Sequence, residues 1–205
     1  MEGARERPAM VTYKSPLHQM TQTTPTCLWN DSADLDELRY AIDNGAVGAT
    51  CNPVIAVTVL KKEIGHWRAR IIELTREMPG ATEDQLGWKL VEEMSIRAAS
   101  LLEPAFAEHR GRNGRLSIQT DPRFYRDSSA ILENAIRFNA LAPNMIVKIP
   151  ATKAGIAAMS RVTSASTAAL ESTRASTSGS ASARSASSAC STAPVTVRSS
   201  VAVRA

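Results

Sequence analysis

The segment Ser128–Leu141 followed by Met145-Ile-Val-Lys-Ile149 decides the fold. The first part reads as a helix and the second as a short apolar strand. A helix feeding a strand of this kind is a unit of a parallel βα sheet. The same alternation recurs toward the amino terminus. Leu116–Gln119 is a strand after the turn Gly111-Arg-Asn-Gly114. Before it runs a long helix, Thr82–His109, opened by the capping-box spacing Thr82-x-x-Gln85 and carrying Leu86, Leu90, Met94, Ala98 and Leu101 at helical intervals. Pro104 is expected to kink or end that helix. His66–Met78 and Val54–Ile64 read as further helices, the latter with Pro53 at its first position. Val47–Thr50 is a strand. The helix before it starts at Asp34-x-x-Glu37, repeats Leu35, Leu38 and Ile42, and closes at Gly45. Thr26–Asn30 is the first short apolar run. Four βα units result, with extra helices between the second and third. They fit a small open parallel sheet, or half of an eight-stranded barrel, a fold that usually takes about 250 residues. A half barrel leaves two strand edges unpaired and one apolar lining uncovered.

The two ends differ from this middle. Residues 1–25 are polar and rich in Thr and Gln, and are expected to be a flexible arm. The 46 residues from Ser160 onward hold 14 Ser, 11 Ala and 6 Thr with no aromatic, no Lys and one Leu. Such a segment buries too little apolar surface to offset its ordering entropy, so residues 160–205 are expected to be a disordered tail. The abrupt change inside a helix-like stretch also fits out-of-frame translation of GC-rich DNA. The formal net charge of the 205 residues is +4. All of that excess sits in the tail, where Arg161, Arg174, Arg184, Arg198 and Arg204 face only Glu171. Residues 1–159 therefore sum to zero and show no basic footprint for nucleic acid. No apolar run approaches the roughly 20 residues of a membrane span. Glu2, Arg5, Glu6, Arg7 and Lys14, with no apolar core among them, argue against a secretory signal. Cys27, Cys51 and Cys190 are odd in number and far apart, which excludes a disulfide framework and suits a reducing cytoplasm.

Lys148 is the foremost candidate for chemistry. It ends a strand otherwise made of Ile146, Val147 and Ile149, where an ammonium loses hydration and the neutral amine becomes a nucleophile toward carbonyls. The plain alternative is a lysine reaching out to water. Asp31, Asn52 and Gln119 also stand at strand ends, where side chains of several strands can converge on one pocket. Asp31 and Asn52 precede helices as well, so a capping role is open to each. Cys51 reads as a small buried side chain. His18, His66 and His109 have no paired metal-ligand spacing. Gly111-Arg-Asn-Gly114 lacks the Lys-Ser/Thr and helix start of a phosphate loop.

Three segments, Asp31-Ser-Ala-Asp34, Gly48-Ala-Thr-Cys-Asn-Pro53, and Val147-Lys-Ile-Pro-Ala-Thr152 with Gly155, resemble the transaldolase family in order and approximate spacing, over about residues 26–159. The resemblance implies an α/β fold of the (β/α)8 TIM-barrel class, of which this chain holds about the first four units. It also implies a cytoplasmic transferase of the pentose phosphate pathway that uses no metal and no organic cofactor. Lys148 would form a Schiff base with a ketose phosphate and carry a dihydroxyacetone unit to an aldose phosphate. Asp31 would donate and accept the proton of carbon–carbon cleavage, and Asn52, supported by Thr50, would hydrogen-bond the bound three-carbon unit. The implied partners are sugar phosphates, with no nucleic acid and no membrane; a homo-oligomer is left open. Two departures stand out. The family's water-positioning glutamate is Gln119 here, as in the related fructose-6-phosphate aldolases, which cleave without transfer. Strands five to eight, with their phosphate-binding arginines, find no counterpart in residues 160–205, so the 205 residues by themselves are expected to be inactive or poorly folded. An aldolase using the same imine, and a non-catalytic chain, are the competing readings.

Overall fold

The computed structural model describes residues 12–162. After helix α1 (Pro16–Thr23) come β1 (Leu28–Asn30), α2 (Leu35–Asp43) and β2 (Ala46–Cys51). Three helices follow, α3 (Pro53–Lys62), α4 (Ile64–Glu77) and α5 (Glu83–Glu108), and then β3 (Arg115–Gln119), α6 (Ser128–Asn139) and β4 (Met145–Lys148). Residues 153–162 form a last helix, α7. All strand pairs are parallel and the sheet order is β1-β2-β3-β4. An order that advances one neighbour per unit without reversing puts right-handed crossovers on a single face. A doubly wound sheet reverses its order and is covered on both faces. The four units therefore wind as the first half of a (β/α)8 barrel does.

One face of the sheet is the core. Ala49, Cys51, Leu116, Ile118, Met145 and Val147 alternate along their strands and pack with Leu90, Met94, Ala98, Ala99 and Leu102 of α5 and Ala135 and Phe138 of α6. Ala98 and Ala99 are fully buried, and their small side chains let the 26-residue α5 lie close on β2 and β3. By the same alternation the opposite face carries Thr50, Ser117, Gln119, Ile146 and Lys148. Trp29 lies across Gly48 on this face, for a Cβ there would sit 2.5 Å from the indole ring. At the amino-terminal end of the strands, buried Asn144 donates from Nδ2 to the carbonyls of Ala99 and Gly114, both at 2.8 Å. Gly114 has φ +72 and its α-carbon faces the Phe106 backbone, where no side chain fits.

Several local expectations change. The stretch expected to be a flexible arm contains α1, capped by Ser15 Oγ and docked through Lys14 Nζ, which donates to the Asp43 carbonyl at 2.7 Å. Thr21 packs against Gly45, which has φ +92. Of the two outcomes expected at Pro104, an end of the helix is not seen: α5 runs through it to Glu108. The Thr82–Gln85 capping box is closed from both sides. The Asp34–Glu37 pair is not a box: Asp34 accepts from the amides of Asp36 and Glu37, but its own amide donates to Ser32 Oγ and Glu37 pairs with Lys62. α7 continues past residue 160 to residue 162, with Val162 buried, so the helix overruns the expected start of the tail. The expectations for residues 1–11 and 163–205 lie outside the described residues.

Candidate active site

Each candidate stands at the carboxyl end of a strand. Asp31 directly follows β1, Asn52 directly follows β2, and Gln119 and Lys148 are the last residues of β3 and β4. Parallel strands in register make these positions neighbours: Gln119 pairs with Lys148, and Thr50 with Ser117, which pairs in turn with Ile146. Thr50 donates its hydroxyl hydrogen to the Asp31 carboxylate, joining the ends of β1 and β2. Two pairs result, Asp31 with Thr50 by a hydrogen bond and Gln119 with Lys148 by strand register. Among the described residues no hydrogen bond links one pair to the other. β1 and β4 are three strand spacings apart, about 14 Å across the sheet, so a bound molecule has room between Asp31 and Lys148.

Asn52 takes the capping role open to it. Its Oδ1 accepts from the amides of Val54 (2.9 Å) and Ile55 (3.0 Å), which caps α3. Among the described residues only the oxygen is used, which leaves the Nδ2 group as a donor. Lys148 is half-buried, and among the described residues no carboxylate pairs with it. Cys51 is 1% exposed in the core, where burial pushes its thiol up against the opposing hydrogen bond with Ser95. It is a packing residue. Among the described residues no group of three or more His, Cys, Asp or Glu side chains is placed to hold a metal ion.

Tertiary structure adds groups that local patterns do not mark. Asp34 is 2% exposed, and its Oδ2 lies 2.5 Å from Nζ of Lys62 at the far end of α3. Burial alone would raise this carboxyl, but the Lys62 ammonium and the amides of Glu37 and Asp36 outweigh it and hold the group below the usual carboxylate range. In the loop after β3, burial of Asp121 is likewise outweighed by the Arg123 guanidinium and amide and by the Trp88 side chain. Arg123 also pairs with Asp84 at the start of α5. Lys62 is 28 residues from Asp34, so no local spacing could have joined them.

A transaldolase from Mycobacterium tuberculosis (strain ATCC 25618 / H37Rv) is 32% identical over 161 residues, covering 74% of this chain and 42% of the relative. Transaldolase 1 of Streptomyces avermitilis is 34% identical over 119 residues, 57% of this chain and 30% of that protein. The transaldolase of Mycobacterium ulcerans is 32% identical over 144 residues, 66% of this chain and 38% of its own length. The chain thus spans less than half the length of the curated relatives it matches. The family model described as transaldolase/fructose-6-phosphate aldolase matches residues 28–169, which include all four strands and every candidate side chain. A single-faced winding of parallel strands goes with that match: the chain belongs to the transaldolase/fructose-6-phosphate aldolase family.

Proposed function

We propose that this chain carries the imine-forming and bond-cleaving groups of a transaldolase acting on phosphorylated ketoses. The observation that supports it is the set of four polar residues ending four consecutive parallel strands, with Lys148 free of any carboxylate partner among the described residues. The neutral amine of Lys148 adds to the C2 carbonyl of the ketose, and loss of water gives a protonated imine. Asp31 accepts the proton of the C4 hydroxyl, the C3–C4 bond breaks, and an aldose phosphate leaves as its aldehyde. The electron pair of that bond moves into the imine, leaving an enamine of dihydroxyacetone on Lys148. General base help of this kind is typically worth 10²–10⁴-fold. Nδ2 of Asn52 donates to a hydroxyl of the three-carbon unit, and Thr50 holds the Asp31 carboxylate in place. Attack of the enamine on a second aldehyde completes a transfer; protonation and hydrolysis release dihydroxyacetone.

Gln119 favours a second reading. It stands opposite Lys148 in the register, and an amide cannot take a proton from water as a carboxylate does. With this residue the enzyme would act as an aldolase, and free dihydroxyacetone would accumulate without an acceptor sugar. The test of the imine is incubation with fructose 6-phosphate and borohydride, followed by intact mass and peptide mapping. A reduced adduct on Lys148, lost in Lys148→Ala, supports the imine and overturns the expectation that the 205 residues by themselves are inactive. No adduct, or one on another lysine, overturns the proposal and leaves the non-catalytic reading.

A further inference from the structure

We propose that Lys62 is a positioning residue that holds the loop carrying Asp31; the inference deepens the imine reading above and rests on it. Asp31 and Asp34 are separated only by Ser32 and by Ala33, which is 2% exposed. The loop between them is wired at each step. Asn30 Nδ2 donates to the Ser32 carbonyl at 3.2 Å, and the Asp34 amide donates to Ser32 Oγ at 3.2 Å. Asp34 Oδ1 accepts the amides of Asp36 (2.9 Å) and Glu37 (3.0 Å), and its Oδ2 receives the Lys62 ammonium at 2.5 Å. The same ammonium lies 3.1 Å from Glu37 Oε1. Lys62 is the last residue of α3, whose cap is Asn52, so one helix about 15 Å long joins the ends of β1 and β2. A carboxylate as buried as Asp34 needs its cation. Without it the first turn of α2 shifts toward water, and two residues are too short a tether to leave Asp31 in place.

Such a role predicts a particular partition. Lys148 can condense with the ketose before Asp31 is needed, whereas cleavage requires Asp31 at the C4 hydroxyl. Borohydride delivers hydride to whichever imine is present. Mass then separates the six-carbon phosphorylated adduct, trapped before cleavage, from the three-carbon adduct, formed after cleavage and protonation of the enamine. In Lys62→Met and Asp34→Asn the three-carbon fraction should fall on the order of 10- to 100-fold, with Lys62→Arg restoring it. Total adduct on Lys148 should stay within about twofold in all of them. An unchanged fraction, a drop in total adduct alone, or failure of Lys62→Arg to do better than Lys62→Met overturns the role. Should the parent chain form no adduct, the imine reading falls, and the clamp is judged by amide hydrogen exchange. Exchange at Ser32–Leu38 should then rise about tenfold in Lys62→Met, recover in Lys62→Arg, and leave β3 and β4 unchanged. Equal exchange in all three proteins overturns the clamp.

Discussion

Two loops at the carboxyl ends of strands, residues 31–34 after β1 and residues 120–127 after β3, each bury an aspartate that caps the next helical turn. Asp34 takes its cation from Lys62, 28 residues away on another helix, and Asp121 takes its own from Arg123, two residues along the same turn. The difference is one of loop closure. Arg123 stays near Asp121 in any conformation, so part of their attraction survives in the unfolded chain and cancels from the stability. Lys62 meets Asp34 only once α2 and α3 are assembled, so that attraction belongs almost wholly to the native state. One loop is fastened by its own residues, and the other by the fold.

The largest test of the comparison removes what the loops share. Leu116 is fully buried in β3, beneath α5, and Leu116→Ala should cost about 2–5 kcal/mol in urea unfolding. Hydrogen exchange should then quicken in both loops together; an effect confined to one would mean that they do not hang from a common sheet. A smaller effect separates them. Both carboxyls titrate below the usual range in the folded chain. As pH falls through about 4 the unfolded chain takes up these protons first, so stability is full above that point and is lost as pH falls. Lys62 is shifted upward by Asp34 and Glu37, so its contribution is intact at neutral pH and is lost only on the alkaline side, above the ordinary lysine range. Urea midpoints measured between pH 7 and pH 3 should flatten more in Asp34→Asn than in Asp121→Asn. Equal flattening would erase the distinction between the long-range and the local pair. The smallest effect concerns the outer pair, Arg123 with Asp84, whose side chains are 52% and 71% exposed. Asp84→Asn should leave the midpoint of thermal melts nearly unchanged, since water screens the pair.

The βα order was legible because every unit announces its ends locally. Thr82 with Gln85, Pro53 after Asn52, and Gly45 after Ile42 are short-range signals, and the helices stand where they point. Pro104 left two outcomes open, a kink or an end, and α5 does not end there. The stretch expected to be an arm misleads, since α1 gains its place from Lys14 on the Asp43 carbonyl and from the space beside Gly45, neither of them visible within residues 16–23. At the candidate site, Asn52 was readable both as a cap and as a donor because an amide has two ends. Whether the two uses compete depended on which atom the helix took, and it took the oxygen.

The sequence by itself determined the class of fold, the strand ends and the identity of the side chains there, because strand alternation, helix caps and motif spacing act over a few residues. Only the tertiary structure decided that Thr50 reaches Asp31, that Gln119 stands opposite Lys148, and that Lys62 fastens the loop between β1 and α2. Those arrangements depend on register and helix placement, which arise when segments far apart in the chain bury their apolar faces against one another.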